Sequence, residues 1–385
     1  MLPGDVTGPA SGPARFRIVS RTTLLDADDR RRLGLDHWPD GTVGRFLRDG
    51  RVVTVGPNGD GLARTEFVLP RWRDRFAGRR LSLRPATHGA STARRPTPTP
   101  EGPDVPGFGV LTAAQEPIGT LREPADYAAG GPVVYDAGRD LALLVYHAEA
   151  HRAGEPRHFY SSLGLAASRD GGVLWTDLGR VVRAELAADA AARSWGPVEM
   201  GPGTLVDAGD RFVLLFGDFR ADGRRVNLAA AAAPRDAVLD AAAEGKCVEW
   251  RKWDGSSFSE PGLGGRAEEL MGPATTFGQV KWTDAVRLRR SRRWALVAST
   301  NFMGSWTLVA STSVDGVHWS GPAVVEGSQS DDEALYVSTH GPLTRAESKE
   351  LGPDGFAVVR VVSRQGAYAR WEDAEVERLV VAPTT

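Results

Sequence analysis

Cysteine is almost missing from these 385 residues: Cys247 stands alone. No intramolecular disulfide can form from one thiol, and no cysteine-based zinc cluster exists. Long apolar runs are missing too, so no segment reads as a helix able to span a bilayer. The opening Met1-Leu2-Pro3-Gly4-Asp5 lacks the basic stretch and apolar core of a secretory signal, which leads us to expect a cytoplasmic protein. Charge of either sign is not in excess. The 47 basic and 49 acidic residues leave a net charge of −2, which gives no electrostatic reason to expect nucleic acid or an anionic membrane as partner. Long amphipathic helical patterns are also nearly absent. The one credible helix is Pro234 to Ala243, where proline sits in the first turn and alanine-rich sequence follows.

What the chain does have is a repeat. Gly130 to Leu144 aligns without a gap on Gly201 to Leu215, about seventy residues later. Each copy reads as an apolar strand, an Asp-Ala-Gly turn and a second apolar strand, the signature of a β-hairpin. Further strand–turn–strand patterns run over Arg45 to Val55 and Arg287 to Ser299, and Phe356 to Val362 is another strong strand. Five such units begin near His37, Asp126, Trp195, Lys281 and Ala334. Ser168-Arg169-Asp170-Gly171-Gly172-Val173-Leu174-Trp175 fits the Asp-box pattern, and Ser313-Val314-Asp315-Gly316-Val317-His318-Trp319 is a relative one residue shorter. In such turns the carboxylate accepts local backbone N–H bonds while the tryptophan packs beneath. Repeated hairpins at a long period predict an all-β chain, a single-domain five-bladed β-propeller. Residues 1–14 read as a loose tail, 15–385 as the propeller, and about 88–107 and 229–266 as irregular excursions. A strand near Arg15 to Ser20 is expected to help close the ring.

A propeller gathers the starts of its innermost strands around one funnel, so the residues preceding each hairpin are the ones to inspect. They are Asp40 in the first unit, Asp126 in the second, Glu199 in the third and Asp284 in the fourth. The fifth offers His340. Trp38, Trp195 and Trp282 stand close to three of these acids and could offer stacking faces to a sugar. Converging carboxylates suit cleavage of a glycosidic bond. One protonates the leaving oxygen, and another activates water or attacks the sugar. The plainer reading of each aspartate is a bond to turn backbone at a strand end. Glu199 is the exception, because glutamate is a poor residue for both turn and strand. His147, Glu149 and His151 share one face of a strand by its period of two, either as a metal triad or as a solvated strand end. Gly262-Leu263-Gly264-Gly265 has neither the spacing nor the lysine of a phosphate loop.

The five units, the stretch Val198-Glu199-Met200-Gly201-Pro202, the Leu163 to Gly172 segment and the Ser313 to Trp319 turn resemble the five-bladed glycosidases. That group includes the arabinanases and β-xylosidases of glycoside hydrolase family 43, with invertase and levansucrase relatives. The resemblance implies Asp40 as base, Asp126 as the group that tunes pKa and orients substrate, and Glu199 as acid. Asp284, Trp38, Trp195, Trp282 and His340 would bind substrate. No cofactor is implied as required, although His340 would sit near an axial calcium or sodium ion. The chain departs from the family at two points: Asp40 follows Pro39 instead of preceding a proline, and Asp126 is out of register. The implied activity is hydrolysis of a carbohydrate or a glycosylated small molecule. The rivals are a propeller redirected to small-molecule biosynthesis as lyase, cyclase or transferase, and a non-catalytic carbohydrate-binding propeller.

Overall fold

The computed structural model describes residues 15–33, 35, 38–58, 61–68, 104–105, 109–110, 112–116, 121–123, 125–188, 198–201, 203–220, 225–270, 279–302, 305–327, 333–363 and 374–384. It is predominantly β. After β1 (Phe16–Leu25) and a short helix α1 (Ala27–Leu33) comes an antiparallel sheet of β2 (Gly44–Arg48), β3 (Arg51–Asn58) and β4 (Gly61–Val68). A small pair, β5 (Asp104–Val105) and β6 (Gly109–Val110), precedes β7 (Thr112–Glu116), which completes that first sheet. The second run is a four-stranded meander of β8 (Tyr127–Asp136), β9 (Leu141–Arg152), β10 (Glu155–Ser168) and β11 (Thr176–Arg183). The third run holds β12 (Val198–Met200), β13 (Thr204–Asp207), β14 (Arg211–Arg220) and β15 (Arg225–Pro234). It continues through helix α2 (Arg235–Ala243) to β16 (Arg251–Trp253) and β17 (Phe258–Pro261). Then come β18 (Gln279–Arg287), β19 (Trp294–Phe302), β20 (Ser305–Ser313) and β21 (Ala323–Gly327) as one sheet. The last sheet contains β22 (Glu333–His340), β23 (Phe356–Ser363) and β24 (Glu375–Pro383), with helix α3 (Arg345–Leu351) between the first two. Its fourth strand is β1, paired antiparallel with β24, so the strand expected near Arg15 joins the end of the chain.

The parallel β10–β12 pair joins the second and third runs into one ten-stranded sheet, and each run of strands buries an apolar face on its neighbour. Phe46, Val53 and Val55 of the first sheet meet Leu144, Tyr146 and Trp175 of the second run. Leu143, Val145 and Leu163 of the second run meet Leu205, Leu214 and Phe216 of the third. Val213, Leu215 and Leu228 then pack on Trp294 and Leu296, and Val297 and Leu308 pack on Phe356 and Val358. The last sheet returns to the beginning of the chain: Val359, Val361 and Val376 enclose Trp38 and Val43. Burial of this alternating kind is what the period of two in each strand provides.

Both copies of the repeat are hairpins, β8–β9 and β13–β14. Their equivalent aspartates share one partner, because the Arg235 guanidinium bonds Asp136 at 2.7 Å and Asp207 at 3.0 Å. Burial works against ionisation of Asp136, but hydrogen bonds from Arg235 and the Arg139 backbone hold it below the usual carboxylate range. The Asp-box turns form as expected. Asp170 accepts the Val173 and Leu174 N–H groups, and Asp315 those of Val317 and His318.

One expectation needs correction. The segment 229–266 is not an irregular excursion, since it carries the end of β15, the expected helix as α2, and the outer strands β16 and β17. The run Ala229 to Ala233 has high helix propensity, but all five alanines are buried on β15, where small side chains let neighbouring sheets close in. Of the segment 88–107, only residues 104 and 105 are among those described.

Candidate functional site

Asp40 follows the buried Trp38-Pro39 pair, and its backbone N–H donates to Pro57 O at 3.2 Å, which anchors it to the end of β3. Its carboxylate is met by two phenols from other sheets. Tyr127, at the start of β8, donates its O–H to Asp40 Oδ2. Tyr336, on β22, donates a second. The backbone explains how Tyr336 reaches inward. Pairing jumps from Leu335–Val361 to Ser338–Val359, and Tyr336 takes a left-handed φ of 53° in that bulge. Bulges re-aim side chains in this way, and a non-glycine residue in that conformation commonly marks a functional site. Burial, followed by the Asp40 charge, pushes the Tyr336 phenol well above its ordinary pKa, so it stays a hydrogen-bond donor. Trp282 flanks Tyr336 with ring centroids 4.9 Å apart, and Trp306 lies 5.5 Å beyond Trp282.

Glu149 is the carboxylate of the second run that acts on this cluster. It pairs across β8–β9 with Tyr127, and its charge acts on Tyr336. Two imidazoles flank it, His147 Nε2 at 3.1 Å and His151 Nε2 at 3.1 Å. The His147 Nε2 is close to Glu149 but makes no hydrogen bond with it. The cluster is therefore more than a solvated strand end. Among the described residues no three His, Cys, Asp or Glu side chains are placed to hold an ion.

The remaining expected residues fall elsewhere. The Asp126 side chain is 63% exposed, and its carboxylate accepts the His151 N–H at 2.6 Å, so it caps the end of β9. Glu199 lies half-buried on β12. β12 runs parallel to β10 with Tyr160 opposite Val198, and Ser161, the next residue on β10, faces Glu149 of β9. Glu149, Ser161 and Glu199 thus form a row across three strands, and the strand spacing puts the two outer backbones about 10 Å apart. Trp195 lies outside the described residues.

Three assignments are corrected by burial. Trp38 is 1% exposed inside the core between the first and last sheets, so it has no face to offer a sugar. Asp284 is 5% exposed and accepts both the N–H of Thr339, at 2.6 Å, and its O–H, at 3.0 Å. Burial pushes the Asp284 carboxyl up to about 7. It belongs to a set of polar ties between neighbouring runs of the chain, together with Ser161–Met200, Thr204–Thr283 and Val43–Ser338. His340, at the far end of β22 from Tyr336, is also buried. Burial and the charges of Arg45 and Arg378 lower its pKa well below the ordinary value. Two guanidiniums beside an imidazole repel a cation, so these residues do not fit a calcium or sodium ion.

No protein-family model and no curated protein matches this chain. Solved structures do. The chain is similar to the catalytic domain of a family 62 α-L-arabinofuranosidase from Coprinopsis cinerea, with 13% identity, 96% of this chain and 98% of that one covered, and a TM-score of 0.46. It is similar to a Cellvibrio cellulosa α-L-arabinanase complexed with arabinohexaose, at 13% identity over 87% of this chain and 90% of that one, TM-score 0.43. A family 43 glycoside hydrolase from Bacillus licheniformis gives 11% identity, coverage of 87% and 70%, and a TM-score of 0.47.

Proposed function

We propose that the chain is a five-bladed β-propeller with a glycoside hydrolase-like centre that cleaves a glycosidic bond by carboxylate acid/base catalysis. The order in which each run of strands packs on the next, and the last on the segment leading into the first, supports the radial arrangement. The observation that carries the function is the Asp40 carboxylate, gripped by phenols from two other sheets beside the Trp282 ring. Two O–H donors fix its orientation, as a base that must accept a proton from water requires. Trp282 and Tyr336 offer aromatic surface on which the C–H face of a sugar can lie. Glu199, across the row from Glu149, is the acid in this reading and gives its proton to the leaving oxygen while Asp40 takes one from the attacking water. Asp126 acts through His151 and the end of β9, not by touching substrate.

Glu199→Gln tests the assignment. It keeps size and hydrogen bonding but cannot protonate a leaving oxygen. Turnover of an unactivated glycoside is expected to fall by roughly two to four orders of magnitude, with substrate affinity largely kept. An activated aryl glycoside, whose leaving group needs little protonation, is expected to be spared in comparison. Equal turnover of the unactivated glycoside by both proteins removes Glu199 from the chemistry. A carbohydrate-binding propeller shows no turnover of either substrate and binds sugar equally well with glutamine. A biosynthetic propeller is inert to every glycoside.

A further inference from the structure

We propose that a basic surface at the end of the fold away from Asp40 holds an acidic polysaccharide, whose uronate carboxylates pair with its arginines. The class of polymer rests on the carbohydrate reading above, while the surface is built from residues that reading does not use. Five of the seven residues from Arg287 to Arg293 are arginine, in a chain whose net charge is −2. They form the turn from β18 to β19. Its place follows from the strands. Trp282 and Tyr336 meet beside Asp40, and further along the same two strands Asp284 is tied to Thr339. Arg287 then lies roughly 16 Å beyond Trp282, at about 3.3 Å for each residue of β18.

The turn is held in one shape. Arg292 takes a left-handed φ of 60°, and its N–H donates to Leu288 O at 3.1 Å. The Asp354 carboxylate accepts the N–H groups of Arg290, at 2.8 Å, and Ser291, at 3.0 Å. Arg289 Nη1 donates to Ser348 Oγ at 2.7 Å, which joins the turn to α3. Arg345 stands one turn before Ser348 on the same face of that helix, and Lys349 follows it. The result is a single fixed surface from two separate elements. Arg290, Arg292, Arg345 and Lys349 are exposed, and among the described residues their side chains take part in no hydrogen bond or ion pair. The nearby acids are engaged already: Glu347 pairs with Arg45, Glu350 with Arg378, and Asp354 caps the turn backbone.

Guanidinium forks meet carboxylates in two parallel bonds, so a polymer with a carboxylate on each sugar suits this arrangement. The surroundings restrict its width. The β13–β14 turn reaches the same end of the fold, because Thr204 of β13 bonds Thr283 of β18. Next to that turn Asp136, Asp207, Asp236 and Asp240 share two cations, Arg139 and Arg235, which leaves an acidic neighbourhood. A duplex nucleic acid or an anionic membrane broad enough to cover that end would lie against these carboxylates as well. A single polysaccharide chain touches the basic surface alone.

The test is calorimetric titration at low salt with four probes: an oligogalacturonate, a neutral arabinan oligosaccharide, a DNA duplex and phosphatidylglycerol vesicles. The unmodified protein is compared with one carrying Arg290→Gln, Arg292→Gln, Arg345→Gln and Lys349→Gln together. These side chains are exposed and hold nothing in the fold, so the thermal midpoint is expected to stay where it is. The unmodified protein is expected to bind the oligogalacturonate more tightly than the other three probes. The fourfold variant is expected to lose that affinity by about tenfold or more, as removal of four exposed charge pairs implies. Equal affinity of both proteins for the oligogalacturonate overturns the surface. Duplex or vesicles bound as tightly as the oligogalacturonate overturn the choice of polymer. Turnover of an aryl glycoside is read separately: its absence in both proteins overturns the hydrolase reading, while loss of oligogalacturonate binding in the variant still upholds the surface.

Discussion

Asp284→Asn separates an inter-sheet tie from a catalytic group, and its effect can be worked from the structure. The carboxyl is buried, and burial raises its pKa from 3.8 to about 7 despite the two bonds from Thr339. Between those values the folded chain holds a proton that the unfolded chain has released. Stability therefore falls as pH rises from about 4 to about 7, and the whole loss is in place above about 7. A displacement of about three pH units corresponds to about 4 kcal/mol, at 1.36 kcal/mol for each. Asparagine does not titrate, so its stability lacks this slope. The amide brings a constant cost of about 1 to 3 kcal/mol if its buried N–H finds no acceptor, but a constant does not alter the slope. Urea unfolding of both proteins in steps from about pH 4.5 to about 7.5 measures the difference directly. The gap between them is expected to move by about 3 to 4 kcal/mol in favour of the variant as pH rises. Parallel stability curves across that window refute the reasoning. Turnover lost by more than about tenfold, with the fold intact, returns Asp284 to the active site.

Two further perturbations probe the frame. In Gly164→Ala the new methyl is driven into the ring of Tyr146, which is fully buried and pinned through its hydroxyl by Asp177 and Arg180. A loss of about 3 kcal/mol is expected, and an unchanged thermal midpoint contradicts it. Arg235→Gln leaves Asp136 and Asp207 without their shared cation and is expected to cost about 1 to 3 kcal/mol near neutral pH. Asp136 is held below the usual carboxylate range, so this difference is present above that range and closes as pH falls through it. A gap that is constant down to acid pH argues against the tether.

Hairpin positions were legible because their signals are local. The Asp-Ala-Gly turns lie where the repeat puts them, and Asp170 and Asp315 close their turns with their own backbone. A third turn of this kind, at Asp254, carries no S-x-D mark, because Lys252 stands where Ser168 and Ser313 stand in the other two, yet its carboxylate accepts the Ser256 and Ser257 N–H groups in the same way. Asp40 was found by its place before a strand, and that rule could not separate it from Asp284. Asp40 does precede β2, whereas Asp284 lies within β18; one carboxylate meets two phenols while the other is enclosed between sheets. Direction was the missing information. Tyr336 escaped notice because a bulge with a left-handed residue leaves no mark on the alternation of apolar and polar positions. Glu149 was seen only as part of a histidine-rich strand end, because its partners Tyr127 and Tyr336 come from β8 and from a strand nearly two hundred residues later.

The pairing of β1 with β24 sets the order in which the molecule can be finished. The register runs from Phe16 opposite Pro383 to Leu25 opposite Val376, and the Thr384 N–H closes it on Arg15 O. A chain emerging from a ribosome thus carries one unmatched strand through the synthesis of everything between, and its last sheet assembles only when β24 appears. Such distant pairing makes completion slow compared with the hairpins, which form from near neighbours. It also places Arg15 beside Thr384. A short linker from Thr384 to Arg15, with new ends opened in an exposed turn such as the one at Asp254, is expected to give a permuted chain with the same sheets. In that chain the late step moves to another pair of strands.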